Sequence, residues 1–274
     1  MAALDQVEAW DVPSVAAGMV GPEGLLAGHG ATDRSYPLAS VTKVLVAIAV
    51  HIAVEEGTVG LDDDVTGAGG PEGTTVRHLL AHASGLPPDG DRTPLGPPER
   101  NRIYSNIGFE VLGDHVAART GMGIDDYVRA ALVEPLGLGS TTVTGSPAHG
   151  YASSVDDLAA LLVALRAGRL LAPASIEAMT SPAFPELAGV LPGFGAQDPN
   201  PWGLGVEVRG TKDPHWTAPA NSPRTWGHFG RAGTFLWWDP DGDVGLVVLT
   251  DREFGPWAAT AWPRLAADVL AAHG

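Results

Sequence analysis

The 274-residue chain contains no cysteine, and only two of its sixteen basic residues are lysines, Lys43 and Lys212. The absence of cysteine excludes disulfides, zinc sites with thiolate ligands and a cysteine nucleophile. The basic residues are outnumbered by 32 acidic ones, which gives a formal net charge of −16 at pH 7. Because so acidic a surface repels phosphate backbones, nucleic acids are not expected as partners.

A basic leader and a long apolar run are also absent. No Lys or Arg precedes Arg34, whereas a signal peptide begins with basic residues followed by an apolar run. The longest apolar stretch, residues 44–54, is about half the length that a bilayer requires, and it includes His51. We therefore expect a cytoplasmic protein without a membrane partner.

Strand patterns at both ends of the chain enclose a helical middle. Alternation and turn signals predict strands over 14–20, 25–28, 205–209, 234–238 and 244–250. Helical spacing and capping signals predict helices over 40–56, 77–83, 107–119, 124–133, 154–168 and 262–272. Pro263 would lie in the first turn of the last helix.

This order predicts an α+β fold in which an antiparallel β-sheet, built from both termini, is flanked by helices. We assign residues 1–62 and 150–274 to this sheet lobe and residues 63–149 to an all-helical lobe inserted into it. The active site is expected in the cleft between the two lobes.

Ser40 and Lys43 open the first long helical segment, and residues three apart share one helix face. Ser40 could simply be an N-cap, but a capped helix favours an acidic side chain where Lys43 stands. A lysine near the positive helix end, among Val41, Val44 and Leu45, should have a lowered pKa. Such a lysine can act as general base for a serine hydroxyl, which makes Ser40 a candidate nucleophile.

Two further segments carry polar groups suited to a cleft. Tyr104 can exchange protons, and Asn106 can donate an amide hydrogen bond to a substrate. Alternatively, Asn106 or Ser105 caps the helix that follows, and Tyr104 packs. His228 and Gly230 belong to a glycine-rich segment that precedes or opens a strand, where backbone N–H groups can form an oxyanion hole.

In chain order, Ser40-x-x-Lys43, Tyr104-x-Asn106 and His228-x-Gly230 resemble the motifs of the serine β-lactamase and penicillin-binding-protein-like hydrolases. The similarity is with the branch that contains class C β-lactamases, family VIII esterases and D-stereospecific aminopeptidases. Further segments look like that family in the same order, namely 38–43, 78–87, 135–138 and 154–159.

The resemblance implies a serine hydrolase that works through an acyl-enzyme intermediate, with no cofactor and no metal. Ser40 would be the acylated nucleophile, Lys43 its partner in proton transfer, and Tyr104 a second general acid/base. Whether Lys43 or Tyr104 takes the first proton stays open at this point. The implied substrate is a small-molecule ester or amide.

For substrate binding, the resemblance implies that Asn106 contacts the substrate and that His228 and Gly230 line the cleft. Backbone N–H groups of Ser40 and Arg231 would form the oxyanion hole. Many relatives have Lys-Thr-Gly as the third motif, whose cation helps to hold a substrate carboxylate. Here a histidine stands instead, ordinarily neutral at pH 7, which favours substrates without that carboxylate.

Two alternatives remain. The first is a β-lactamase, a D-Ala-D-Ala carboxypeptidase or a D-aminopeptidase in which Arg231 restores the missing charge. The second is a non-catalytic binding protein on the same fold, because a fold does not by itself dictate an activity.

Other candidates are weaker. His78 and His82 are four residues apart, but the glutamate of a zinc-binding helix is missing, so packing and capping are expected of them. Lys212 is expected in a loop. Five tryptophans are expected mainly in the core, with one or two beside His228 in an acyl pocket as the minority expectation: Trp202, Trp216, Trp226, Trp237 and Trp238.

Overall fold

The computed structural model describes residues 3–274, so the first two residues of the predicted sheet lobe lie outside the described residues. The strands are β1 (Val15–Gly21), β2 (Gly24–His29), β3 (Tyr36–Pro37), β4 (Ala152–Ser153), β5 (Gly189–Leu191), β6 (Gly195–Gln197), β7 (Glu207–Val208), β8 (Trp226–Gly230), β9 (Thr234–Asp239) and β10 (Val244–Thr250). The helices are α1 (Thr42–Glu55), α2 (Val76–Leu80), α3 (Asn106–Thr120), α4 (Ile124–Val128), α5 (Glu134–Leu136), α6 (Val155–Arg166), α7 (Pro173–Thr180) and α8 (Pro256–His273). Within residues 3–274, no helix has both the length and the apolar character needed to cross a membrane.

Six of the strands form one antiparallel sheet in the order β2-β1-β10-β9-β8-β7. Strands from the two ends of the chain are neighbours in it, since β1 pairs with β10, with Val15 opposite Thr250 and Val20 opposite Gly245. The predicted α+β fold, with an antiparallel sheet built from both ends of the chain, is confirmed. Two short ribbons, β3–β4 and β5–β6, lie outside this sheet.

Both faces of the sheet are covered, which explains why β9 and β10 are almost continuous apolar runs. On one face, Trp237 and Leu246 pack in a cluster with Trp262 of α8. On the other face, Leu236 and Val247 belong to the larger core, which includes most of α1 and α6. Successive side chains of a strand point to opposite faces, so β9 and β10 each contribute to both clusters.

α1 is the central helix, with eleven of its fourteen residues buried. A helix that is apolar all round is one that is surrounded by other elements. α1 contacts α3, α4 and β8, so its first turn lies where the helical segments meet the sheet. Residues 63–149, all within the described range, hold α2 to α5 and contribute no strand to the six-stranded sheet. The lobe boundaries themselves stay a prediction.

Two predicted helix starts are wrong. α1 begins at Thr42 rather than at residue 40, because a 3-10 turn, Ala39–Val41, precedes it. α8 begins at Pro256, well before residue 262, so Pro263 lies inside the helix and not in its first turn. Pro256 supplies the early proline that the prediction had assigned to Pro263. Helix α7 and the β5–β6 hairpin were not predicted.

Candidate active site

Ser40 lies in the tight turn that leads into α1. The N-cap position of α1 falls on the next residue, so the Ser40 hydroxyl does not cap the helix. Ala39 has a φ of 46°, a left-handed conformation that costs about 1–3 kcal/mol for a residue other than glycine. The Thr234 hydroxyl donates to the Leu38 carbonyl at 2.8 Å and ties this strained turn to β9.

Lys43 is buried one helical turn beyond the serine, with its Nζ 3.4 Å from Ser40 Oγ. The same nitrogen donates to Asn106 Oδ1 and to the Ala148 carbonyl, each at 2.7 Å. Three elements that are distant in the sequence therefore converge on one amine. These contacts hold the amine beside the serine hydroxyl.

Burial lowers the pKa of Lys43 to about 7, against the opposing effect of the nearby carboxylates Asp89 and Glu110. The sequence predicted this direction from the helix end and the apolar neighbours. In the structure the largest cause is the complete removal of the amine from water, which disfavours its charged form. A lysine with a pKa near 7 is partly neutral at neutral pH and can accept a proton.

Tyr104 and Asn106 flank the N-cap of α3. Ser105 caps this helix, because its hydroxyl accepts from the Gly108 backbone N–H at 2.9 Å, and this leaves the Asn106 side chain outside the cap. The Asn106 amide nitrogen donates to Asp89 Oδ1 at 2.8 Å, while its oxygen accepts from the lysine.

The phenol of Tyr104 is buried beside Ser40. Burial raises the pKa of the phenol, and the nearby Ser40 hydroxyl opposes that rise. The phenolic oxygen has no hydrogen-bond partner among the described residues. Tyr104 therefore stays protonated at neutral pH. Its ring also lies under the lysine, with Lys43 Nζ 4.8 Å from the ring centroid.

His228 lies on β8, buried in a group of aromatic rings. Its Nδ1 donates to the Phe229 carbonyl at 2.7 Å, and its Nε2 has no hydrogen-bond partner among the described residues. Burial, and then the positive charge of Lys43, lower its pKa to about 3. His228 is therefore neutral at pH 7, as the sequence predicts, and it offers no cation at this wall.

Gly230 lets β8 pass directly against the turn that carries Ser40. A Cβ at this position would lie 2.4 Å from the Leu38 carbonyl oxygen, 2.6 Å from Thr234 Oγ1 and 3.1 Å from Ala39 Cβ. The last residue of the third motif thus borders the turn at the first motif. Only a residue without a side chain fits this approach.

We expect Gly230→Ala to lower kcat/KM at least about tenfold, because a small displacement of catalytic groups is costly in rate. The measurement is steady-state hydrolysis of an activated ester. Gly139→Ala is the matched control, since a Cβ there meets nothing within 4 Å. Equal losses in the two variants would contradict a specific role for the close approach.

Two cavities meet at the serine. One of about 530 Å³ is lined by both polar and apolar residues, and its carboxylates include Asp251 and Glu253. The other, of about 480 Å³, is lined by Tyr104, Trp202 and His228 among others. Four residues line both cavities, namely Ser40, Asp89, Asn106 and Arg231.

Among the residues that line these cavities, Arg231 is exposed to solvent and Trp202 is buried. The Arg231 side chain is 85% exposed, and its nearest carboxylate is Glu253 at 3.8 Å. Trp202 is buried with its ring centroid 5.5 Å from that of His228, so one tryptophan lies beside His228, and its role in an acyl pocket stays a prediction. The other four predicted core tryptophans are buried in the two hydrophobic clusters.

His78 and His82 have the packing and capping roles expected of them. His78 forms a capping box with Thr75, whose backbone N–H donates to His78 Nδ1 at 3.1 Å. His82 accepts from the Ser105 backbone N–H at 3.1 Å and packs against Tyr104 with ring centroids 4.6 Å apart. His82 thus packs on the Tyr104 ring and helps to fix its position.

Sequence reasoning missed three parts of the site. Asp89 follows a proline in a loop and has no motif, and the Ala148 carbonyl has no signal in the sequence at all. The third part is Glu207, which lines the 480 Å³ cavity. Its carboxylate accepts from Lys212 at 2.6 Å and from Trp216 Nε1 at 2.5 Å.

Lys212 lies in a loop, as predicted, but it is buried. Both lysines of the chain are therefore buried, and neither is a solvent-exposed surface residue. Burial by itself would raise the pKa of Glu207, yet Lys212 and His215 outweigh it and hold that pKa at about 2. Because lysine is so rare in this chain, each of the two lysines could have been singled out from the sequence as a residue with a special role. Lys43 belongs to a recognisable motif, whereas Lys212 does not.

We expect Glu207→Gln to lower the free energy of unfolding by about 3–5 kcal/mol, because it leaves the Lys212 ammonium buried without its counter-charge. Urea unfolding followed by tryptophan fluorescence measures this change. Glu134→Gln, at an exposed position of α5, removes the same charge and should change the midpoint little. Coincident unfolding curves for the two variants would show that the buried pair does not stabilise the fold.

Comparisons with known proteins identify the family of this chain. The family model described as Beta-lactamase matches residues 7–271. A solved structure from Mycobacterium bovis, described as a beta-lactamase, is 47% identical, with a TM-score of 0.95 over 99% of both chains. A D-stereospecific amidohydrolase from Streptomyces is 22% identical, with a TM-score of 0.75 over 97% of this chain and 96% of that one, which shows a shared fold.

Among curated proteins, penicillin-binding protein 4* of Bacillus subtilis is 27% identical over 140 residues, which cover 41% of this chain. The match spans about a third of that relative's length, 31%. The family model, by contrast, extends over nearly the whole chain, from residue 7 to residue 271 within α8. The chain therefore belongs to the Beta-lactamase family.

Proposed function

We propose that this protein is a serine hydrolase that forms an acyl-enzyme on Ser40 and acts on ester or small-amide substrates. The observation that carries the proposal is the pair of Ser40 Oγ and Lys43 Nζ, 3.4 Å apart, in which burial lowers the lysine pKa to about 7. A serine hydroxyl becomes nucleophilic when a base with a pKa near the working pH lies beside it.

In acylation, Ser40 Oγ attacks the substrate carbonyl carbon and its proton passes to the neutral amine of Lys43. Backbone N–H groups of Ser40 and Arg231 would hold the charge that develops on the carbonyl oxygen. Tyr104 then gives its proton to the departing alcohol or amine and regains one from Lys43. The pKa of Lys43 is lowered and that of Tyr104 is raised, which favours Lys43 over Tyr104 as the first acceptor of the serine proton.

Deacylation reverses the roles. A water molecule attacks the acyl carbon and its proton passes to the neutral Lys43. Ser40 Oγ then leaves with a proton from Lys43. The sum is one ester or amide and one water converted to an acid and an alcohol or amine.

The charges around the serine support substrates without a carboxylate. His228 is neutral because burial lowers its pKa to about 3. The side chains that line the cavities include Asp89, Asp251 and Glu253, whereas Arg231 is the cation that reaches both cavities. An anionic substrate group would thus meet more negative than positive charge.

A β-lactamase, carboxypeptidase or D-aminopeptidase activity is the second candidate. It is favoured by the 47% identity to a structure described as a beta-lactamase and by the exposed guanidinium of Arg231 at the cavity rim. This cation could attract a substrate carboxylate if it leaves Glu253.

A substrate panel tests these proposals: p-nitrophenyl acetate, a chromogenic cephalosporin and D-alanine p-nitroanilide. We expect turnover of the ester and one covalent adduct with a fluorophosphonate, located on Ser40 by peptide mass spectrometry. Faster turnover of the cephalosporin would favour the second candidate. An absence of adduct and of turnover, with retained binding of a small ligand, would instead favour a binding protein.

A further inference from the structure

A third cavity, of about 700 Å³, adjoins the one at the nucleophile. It shares Pro88, Tyr104 and Pro192 with the 480 Å³ cavity that contains Ser40. A substrate held at the serine can therefore extend past Tyr104 into this outer space. We call the outer cavity the apolar arm and define it by Pro88, Leu95, Ile103, Tyr104, Val190 and Pro192.

The apolar arm exposes large hydrophobic side chains. Leu95 is 64% exposed and Val190 is 59% exposed, and they are two of the five large hydrophobic residues exposed within residues 3–274. A single exposed apolar side chain needs no explanation, but two on the rim of one cavity are typical of a ligand groove. The arm therefore offers a surface that binding of an apolar group would remove from water.

Charged groups near the arm do not oppose such a ligand. The Arg102 guanidinium is buried and donates to the backbone carbonyls of Ala81, Ala183, Phe184 and Asn200, so its charge is directed into the protein. Asp198 is the carboxylate among the lining residues, and it is exposed to solvent.

The 530 Å³ cavity differs from the arm in its charged lining. Asp251 and Glu253 line this cavity but neither the 480 Å³ cavity nor the arm. Placing an alkyl chain against these carboxylates would take hydrated charges out of water, which is unfavourable. An alkyl chain is therefore better accommodated in the arm than beside these two carboxylates.

We propose that the apolar arm binds the alkyl chain of the acyl group, so that the preferred substrates are esters of medium-chain fatty acyl groups. This inference rests on the proposed serine hydrolase activity and names its substrate class. When Ser40 Oγ bonds to the carbonyl carbon and the ester C–O bond breaks, the acyl chain stays in the arm. The alcohol takes up the proton that Tyr104 gives and leaves the site.

The test compares p-nitrophenyl acetate, butyrate and octanoate, each below the concentration at which it forms micelles. For the wild type we expect kcat/KM to rise up to about fourfold per buried methylene, the equivalent of about 0.8 kcal/mol. Val190→Asp and Leu95→Asp should lower the octanoate-to-acetate ratio of kcat/KM at least tenfold, because each places a carboxylate beside the chain.

Leu26→Asp is the matched control. Leu26 is 51% exposed on β2 and lines none of the cavities described above, so the same substitution should leave the ratio unchanged. Circular dichroism checks that all three variants are folded.

Two results separate the outcomes. Equal kcat/KM values for acetate and octanoate, or an unchanged ratio in both arm variants, would overturn the apolar arm and leave the hydrolase intact. Failure of the wild type to hydrolyse any of the esters would overturn the proposed function and the arm together.

Discussion

Replacing Ser40 with alanine should lower kcat/KM for p-nitrophenyl ester hydrolysis by at least about a thousandfold. The substitution removes the atom that forms the covalent intermediate, and the neighbouring base then has no hydroxyl to activate. The cavity walls and the backbone N–H groups remain, so a small residual rate is expected. Initial rates with purified wild type and Ser40→Ala, at equal concentrations, measure the effect.

Ser35→Ala is the matched control for this substitution. Ser35 is an exposed serine five positions upstream that lines neither cavity at the nucleophile, and its replacement should leave the rate unchanged. The fluorophosphonate adduct should be lost with Ser40→Ala and kept with Ser35→Ala. A Ser40→Ala enzyme that keeps half of the wild-type rate would eliminate the acyl-enzyme mechanism.

Replacing Lys43 with methionine should lower kcat/KM by about 10²–10⁴-fold, the usual contribution of a positioned general base. The pH profile gives an independent readout. Burial lowers the pKa of Lys43 to about 7, so the amine is protonated and inactive below that pH and neutral above it. Wild-type kcat/KM should therefore rise with pH and reach half of its maximum near pH 7. The remaining activity of Lys43→Met should lack this step.

The variant Lys43→Arg distinguishes two roles that Lys43 could have, as a general base and as a positive charge beside Ser40. Arginine keeps a cation near Ser40 but does not lose its proton at this pH, so it cannot accept one from the serine. We expect this variant to be as impaired as Lys43→Met. Recovery of activity in Lys43→Arg, or an unchanged pH step in Lys43→Met, would show that the lysine acts only through its charge. Near-ultraviolet circular dichroism confirms that both variants keep the packed core.

The strand and helix patterns were predictable because they depend on local periodicity. The apolar runs of β9 and β10 and the buried length of α1 follow directly from residue order. The errors occurred at helix starts. A 3-10 turn delays the start of α1, and Pro263, expected in the first turn of a helix starting at residue 262, lies inside α8, which begins at Pro256. α7 was not predicted, because its eight residues are too few to give a clear helical period.

The candidate site also contains short-range contacts that the sequence predicts and long-range contacts that it does not. The Ser40–Lys43 contact spans three positions, so helix geometry predicts it from the order of residues. The contacts of Lys43 with Asn106 and with the Ala148 carbonyl span 63 and 105 positions, and no spacing rule reaches that far. Asp89, which accepts from Asn106, belongs to no motif and was found only through this contact.

Local spacing was thus enough to predict the fold class and the contact between Ser40 and Lys43, which we propose as nucleophile and base. The working pKa of that base depends on burial, and burial is produced by elements from all parts of the chain that close around one amine. The same holds for Gly230, whose missing side chain matters only because the sheet brings it against Leu38 and Ala39. Helix periodicity is encoded in neighbouring residues, whereas desolvation and close packing arise only when distant segments meet.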